Sequence, residues 1–391
     1  MSAKRDMNSV LLAAIEGTEG VAASLSAATD VVLVENLQVK FNQSVQSTQE
    51  VTGTLDPAKD IPIGGPAQIT FDTWLKASGT AGNAPEIGKL LRACGYAETL
   101  TAAAIGVPTA ATAGTSNSVT VPSSPFAGGV DAYKGMVAQL TVNPVGPLFT
   151  SILSFSAGQV MGLAETFTPI LSTSTLVQIP KNALYTPIST GIPSLTFGLY
   201  KDGVYHQVTG GRGTFKMSWE AGKGIKLSWT FGGIMAFPRT DVANPTTASP
   251  DSSQAKLVWR NDSNNGAFVF NGARIGVQSF NFDNGTSLDN APNPNQPAGF
   301  DVADIGSRTM KFDINPRLSS IAARDTLASV RTGATVAIEA LARNSAGNSC
   351  AVVLPAAQPS SYEYGRQGPM ISEQISGKAT GNNSGAYLCF F

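Results

Sequence analysis

One histidine, three cysteines and two glycine-rich places set the limits on what chemistry this chain can do. A Ser/His/Asp triad or a histidine general base has to use His206. That residue falls in VYHQVTG (204–210), among the alternating residues of an expected strand, where an ordinary side chain on a sheet face is the simpler reading. Zinc needs clustered Cys and His ligands, and neither type clusters here. Cys94, Cys350 and Cys389 lie far apart and are odd in number. They read as small buried hydrophobes in a reducing compartment, not as a disulfide framework. GNAPEIGKL (82–90) approaches a P-loop but has one residue too many between its glycines, and Leu90 stands where a Ser or Thr would bind magnesium. TGGRGT (209–214) lies between strands with no helix after it, so no helix N-terminus is aimed at a phosphate. Asp283, Asp289, Asp301 and Asp304 do not keep the spacing of a calcium loop, and no carboxylate pair is singled out for glycoside chemistry. The expectation is a non-enzymatic chain with no catalytic residue, no cofactor and no metal.

Composition gives the positive side. At 391 residues the chain exceeds the usual size of a single core, so two domains are expected. Hydrophobic residues make up 42% and charged residues only 14%, with Gly 40 and Pro 23. That is a turn-rich chain with few groups to solvate a large surface, as in a β-rich protein that buries surface against its own copies. The net charge of −1 leaves no basic surplus for gripping phosphates. Glu16 and Glu19 interrupt the apolar patch of the first twenty residues before a signal peptide forms, and no run of about 18 apolar residues exists for a transmembrane helix. A soluble product of the cytoplasm is expected. An outer-membrane β-barrel is the rival that amphipathic strands and the aromatic end LCFF suggest; the missing signal peptide and the interrupting helix count against it.

The elements follow from periodicity. Residues 1–30 read as a short helix and then an Ala/Ser-rich N-terminal arm. VVLVENLQVKF (31–41) and QITFDTWLK (68–76) read as strands. NAPEIGKLLRACGYAET (83–99) is the clearest helix: Asn83 caps, Pro85 fits the first turn, Ile87, Leu90, Leu91 and Cys94 share a face, and Gly95 ends it. Residues 100–128 read as a flexible loop, and 130–193 as short strands. SLTFGLY and VYHQVTG form a hairpin around Asp202-Gly203. In 212–233, Phe215, Met217 and Trp219 alternate with polar residues, and after AGKG so do Ile225, Leu227, Trp229 and Phe231. This is a half-buried hairpin whose polar face carries Lys216, Glu220, Lys226 and Thr230. Residues 238–254 read as a linker. Strands resume at 255–259, 267–270, 276–282 and 307–314, followed by a helix at 324–334. NSCAVVL then stands where SLTFGLY stood, YGRQG where YKDG stood, and PMISEQISGKA with GAYLCFF echo the 212–233 hairpin, which predicts an internal duplication.

Three blocks carry a family resemblance: LLAAIEGTEGVAASLSAATDVVLVENLQVKF, ITFDTWLKASGTAGNAPEIGKLLRACGYAET and LTFGLYKDGVYHQVTGGRGTFKMSWEAGKGIKLSWTFGG. They resemble the major tail tube proteins of long-tailed, siphovirus-type bacteriophages. VQSFNFDNG, the IGSR turn into TMKFDI, and SAGNSCAVVLPAAQ extend the resemblance through the second half, leaving 100–193 and 238–254 poorly matched. The resemblance implies a mainly β chain of two tandem barrel or sandwich domains, 31–237 and 255–391, each with one short flanking helix. It implies a virion protein made in the host cytoplasm that assembles into stacked rings, the phage tail tube through which double-stranded DNA slides during DNA ejection without specific binding. Two tube folds per chain give a homotrimer ring of pseudo-six-fold symmetry, the alternative being a homohexamer. A tape measure protein and a tail terminator are the implied partners. The N-terminal arm and loops 42–66 and 283–300 are expected to make the ring-to-ring contacts. The other readings are a terminator or baseplate hub, and a carbohydrate-binding β-protein using Trp74, Trp219, Trp229 and Trp259.

Overall fold

The computed structural model describes residues 4–5, 7–51, 53–142, 146–246, 255–260 and 266–391. The chain is mainly β: among the described residues 52% lie in strands and 4% in helices, of which there are two. In chain order, the first half supplies β1 (Ser9–Ile15), β2 (Val31–Val32), β3 (Glu35–Phe41), β4 (Ala67–Trp74), α1 (Gly88–Ala93), β5 (Leu195–Lys201), β6 (Val204–Glu220) and β7 (Lys226–Met235). The second half supplies β8 (Gly266–Phe270), β9 (Ala273–Arg274), β10 (Val277–Asp283), β11 (Lys311–Pro316), α2 (Thr326–Thr332), β12 (Val336–Ser345), β13 (Asn348–Gln367), β14 (Met370–Ala379) and β15 (Tyr387–Phe390).

These strands pair antiparallel in two ladders. The first runs β2–β1–β5–β6–β7–β4–β3 and the second β9–β8–β12–β13–β14–β11–β10. Strand for strand the pairing order is the same, with each helix between the fourth and fifth strand. In the first ladder the segment 31–41 lies at both margins, its first two residues on β1 and the rest on β4. No continuous ladder closes the sheet, so the barrel expected from sequence is not closed among the described residues.

Alternation decides which way the sheet faces. In β4 the residues Ala67, Ile69, Phe71 and Thr73 are buried and Gln68, Thr70, Asp72 and Trp74 are not; in β11 Phe312, Ile314 and Pro316 are buried and Lys311 and Asp313 are exposed. The inner face of both halves merges into one core, where Phe71, Phe197, Phe215, Trp229 and Phe231 stack and Trp219 meets Trp259 and Phe280. Each such ring buries roughly 150–250 Å², so these rings anchor the fold.

Several expectations need correction. No helix is present among the described residues of 1–30; Leu11, Leu12 and Ala13 are buried in β1, between β2 and β5. A strand covered on both faces reads as a continuous apolar run and loses its period of two. The N-terminal arm 1–30 is therefore in part a central strand. α1 begins only at Gly88, Asn83 does not cap it, and residues 96–101 leave as a strand; α2 is capped by the Asp325 side chain on the Ala328 N–H and ends at Gly333 in the left-handed region. Residues 100–128 are not a loop. Short strands between 105 and 179 form a separate seven-stranded sheet with its own core around Phe126, Tyr133, Phe155 and Met161. Residues 255–259 form only a bridge, Val258 with Gly224. Of the linker 238–254, residues 247–254 lie outside the described residues, and Thr240–Asp241 pairs with β6.

The element correspondence shifts too. SLTFGLY corresponds to β12 and not to NSCAVVL, and the turn matching Asp202-Gly203 is Ala346-Gly347, with Gly347 at φ 78°. The 212–233 hairpin corresponds to β13–β14. GAYLCFF is an extra strand, β15, which sits between β13 and the strand Asn182–Pro187 and so ties the two halves together.

Candidate functional site

The residues that suggested chemistry are scattered and mostly sealed. His206 is 9% exposed, its Nδ1 has no hydrogen-bond partner, and burial, with Arg239 and Lys201 nearby, holds its pKa below the ordinary value. The three cysteines are buried free thiols; burial pushes Cys94 and Cys350 well up and Cys389 to about 12, which removes thiolate chemistry. Among the described residues no group of three or more His, Cys, Asp and Glu is placed to hold a metal. The TGGRGT segment lies inside β6 at a register shift between Thr209 and Arg212. There the Glu16 carboxylate accepts from Ser194 Oγ (2.5 Å), Thr196 Oγ1 (2.9 Å) and the Gly210 and Gly20 N–H groups (2.8 Å each). Arg212 donates to Glu19 (2.7 Å) and to the carbonyls of Ala303 (3.0 Å) and Ile192 (2.9 Å). A Cβ at Gly210, Gly211 or Gly213 would run into Val302, Phe197 or Phe231, so the glycines make room for close packing. Trp219, Trp229 and Trp259 are core residues, at most 6% exposed. Only Trp74 lies on the polar face, flanked by Lys226 and Lys256 at 5.5 and 5.0 Å. The four tryptophans therefore do not share one exposed surface.

What the sequence does place together is the polar face. β6 pairs with β10 along Lys216–Asp283, Met217–Phe282, Ser218–Asn281, Trp219–Phe280 and Glu220–Ser279. This joint welds the halves into one eight-stranded sheet, β3–β4–β7–β6–β10–β11–β14–β13. Across its outer side, charges of opposite sign are interleaved. Lys216 contacts Asp283 at 3.1 Å, and Lys226 contacts Glu35 at 3.0 Å and Asp72 at 3.3 Å. Ser228 and Asn36 donate to Asp72 (2.7 and 2.8 Å), and Trp74 Nε1 donates to Glu35 (2.6 Å). Glu35 is held below the usual carboxylate range by the Trp74 and Lys226 hydrogen bonds. Partial burial opposes ionisation of Asp72, but Ser228, Asn36 and Lys226 together hold it low as well. Asp313 moves the other way, raised by partial burial and by the neighbouring Asp283. Lys216 and Lys226 are each answered by carboxylates, while Lys311 and Lys378 stand opposite each other across the β11–β14 ladder.

The two ends of this sheet differ from its middle. Among the described residues β3 pairs only with β4, and the part of β13 beyond Ala357 pairs only with β14. Next to the joint Met217 and Trp219 are 1% and 0% exposed, whereas Tyr364, Met370 and Ile371 at the β13–β14 end are 69%, 52% and 55% exposed. The sequence made the alternating face legible; the free edges depend on which distant strands pair, which periodicity does not report. No protein-family model and no curated protein matches this chain.

Proposed function

We propose that the chain is a structural, non-enzymatic virion protein that assembles edge to edge into rings and stacked tubes, the subunit of a phage tail tube. The observation that carries this reading is the β6–β10 joint, by which one strand ladder continues into another of the same order. On this reading the ladders are duplicated copies of one wall unit, bounded as the two domains 31–237 and 255–391 with β1 added to the first. The chain is then a preformed pair of wall units whose unpaired margins call for further pairing. Identical copies joined head to tail through unlike margins form closed rings when the rotation closes. A homotrimer gives pseudo-six-fold symmetry, and a homohexamer is the alternative.

The balanced polar face suits a lumen through which double-stranded DNA slides without being gripped. The loop 42–66 suits contact between rings. It carries the hairpin Ser44–Gln46 with Ile61–Gly64, and Val51 and Leu55 stand fully exposed at 99% and 106%. Its counterpart between β10 and β11 holds the hairpin Thr286–Asp289 with Asp304–Arg308. A tape measure protein and a tail terminator are the remaining proposed partners. Negative-stain electron microscopy of the purified protein over a range of concentrations tests the reading: rings or hollow tubes are expected, and a strictly monomeric particle at every concentration overturns it.

A further inference from the structure

We infer that residues 363–367 of β13 pair antiparallel with residues 40–36 of β3 in a second copy of this chain, in the register of the internal joint, with Glu363 opposite Lys40. The inference rests on the assembly reading above and specifies its contact surface.

The register comes from pairs that match between the two ladders. Val39–Ile69 of β3–β4 corresponds to Phe282–Phe312 of β10–β11, an inward pair in both; β3 shifts register between Glu35 and Gln38 and β10 between Val277 and Phe280, which is one residue nearer the strand start on this alignment. Trp229–Phe71 corresponds to Ile375–Ile314, and Lys216–Ser228 to Glu363–Gln374. Lys40 therefore occupies the position of Asp283, paired with Gln68 as Asp283 is with Lys311. Carrying the internal joint onto the free margins sets Glu363 against Lys40, Tyr364 against Val39, Gly365 against Gln38, Arg366 against Leu37 and Gln367 against Asn36.

Two independent features agree with that register. The ion pair Lys216–Asp283, at 3.1 Å, is replaced by the same pairing with signs exchanged, Glu363 with Lys40, both exposed and both on the polar face. Opposite charges directly across a ladder stabilise it and like charges oppose it. The hydrogen-bonding groups also point the right way. Asn284 N–H donates to the Phe215 carbonyl (3.0 Å) and Ala221 N–H to the Gln278 carbonyl (2.8 Å), so even-numbered residues of β10 address β6. By correspondence Leu37, Val39 and Phe41 address the open side of β3. Leu37 demonstrates it, since its carbonyl accepts from Lys201 Nζ at 2.7 Å and keeps a second lone pair. Lys216–Asp283 is thus a non-hydrogen-bonded pair, the kind in which side chains approach most closely. The apolar groups left at the β13–β14 end, Tyr364, Met370 and Ile371, are what a second copy would cover as the second half covers Met217 and Trp219.

The test uses the full chain. Lys40→Cys and Glu363→Cys in one polypeptide, under a mild oxidant, should give disulfide-linked multimers within assembled rings, while either substitution alone gives none; the native thiols are buried and do not interfere. Lys40→Glu or Glu363→Lys should each weaken association, about two- to fivefold per interface, and the two together should restore it. Far-UV dichroism of each variant checks that the fold is kept. Rings that form with no cross-link and no response to either charge reversal overturn this edge and register while leaving the assembly reading standing. A wild-type chain that never associates overturns both.

Discussion

Two buried charged groups show how single residues hold this molecule. Glu339 is 1% exposed and accepts from Ser151 N–H and Oγ (2.6 Å each) and Thr150 Oγ1 (3.1 Å), fastening the separate seven-stranded sheet to β12. Burial pushes its pKa up from 4.5 to about 7, with Glu165 adding to the effect. An acid whose folded pKa is raised binds its proton more tightly when folded. Its contribution is complete below pH 4.5 and is lost as pH rises through about 7. Stability should therefore fall by about 2–3 kcal/mol across that window, and Glu339→Gln should flatten the fall, read from urea midpoints at several pH values. An unchanged pH profile in the variant would contradict this assignment. Arg212 is the second case. Arg212→Ala leaves the carbonyls of Ile192 and Ala303 without their donor and should cost about 2–4 kcal/mol by denaturant titration. A loss within about 0.5 kcal/mol would mean that water replaces the guanidinium.

At the scale of elements, β1 and the 42–66 loop make opposite predictions. β1 lies between β2 and β5 with Leu11 and Ala13 fully buried, so deleting residues 1–15 opens two margins and empties part of the core. The truncated chain should be largely insoluble or lose its cooperative melt; a soluble product with an unchanged melting temperature would show β1 to be dispensable. Replacing 48–59 by a short Gly/Ser link should change stability by no more than about 1 kcal/mol, because loop closure costs vary slowly with length. Rings of that variant should stack poorly in micrographs, and normal tubes would remove the loop from the contact. The same two elements show what the sequence could tell. Where one face is wet, as in 212–233, alternation gave strands and facing correctly. Where both faces are covered, as in β1, the period vanished and a helix was expected. The Ala346-Gly347 turn carried no Asp or Asn to announce it, so the strand correspondence slipped by one. The polar face was legible residue by residue in Lys216, Glu220, Lys226 and Thr230, but not the joint that Lys216 makes with Asp283, since β6 and β10 are brought together only by the fold.

The whole molecule combines a common core, an interleaved polar sheet and a strap, β15, that fixes one half to the other. Leu388 on that strap is fully buried, and Leu388→Ala should cost about 2–5 kcal/mol by thermal or chemical unfolding. A much smaller loss would mean that the strap is not what unites the halves. If the ion-paired Lys216 and Lys226 and the net charge of −1 set the field of the sheet, the protein should not retard linear double-stranded DNA in a gel near physiological salt, and salt-sensitive retardation would contradict that reading. The internal joint has a further consequence, in mass action. Two units in one polypeptide meet at an effective concentration set by the connecting chain, so that contact forms during folding whatever the protein concentration. Only the contacts between chains then draw on translational freedom. On the proposed reading, a ring of three such chains should nucleate with roughly a third-power dependence on subunit concentration, where the same wall built from single units would need the sixth. Assembly should thus begin in dilute solution, with a shallower threshold than the size of the ring alone suggests.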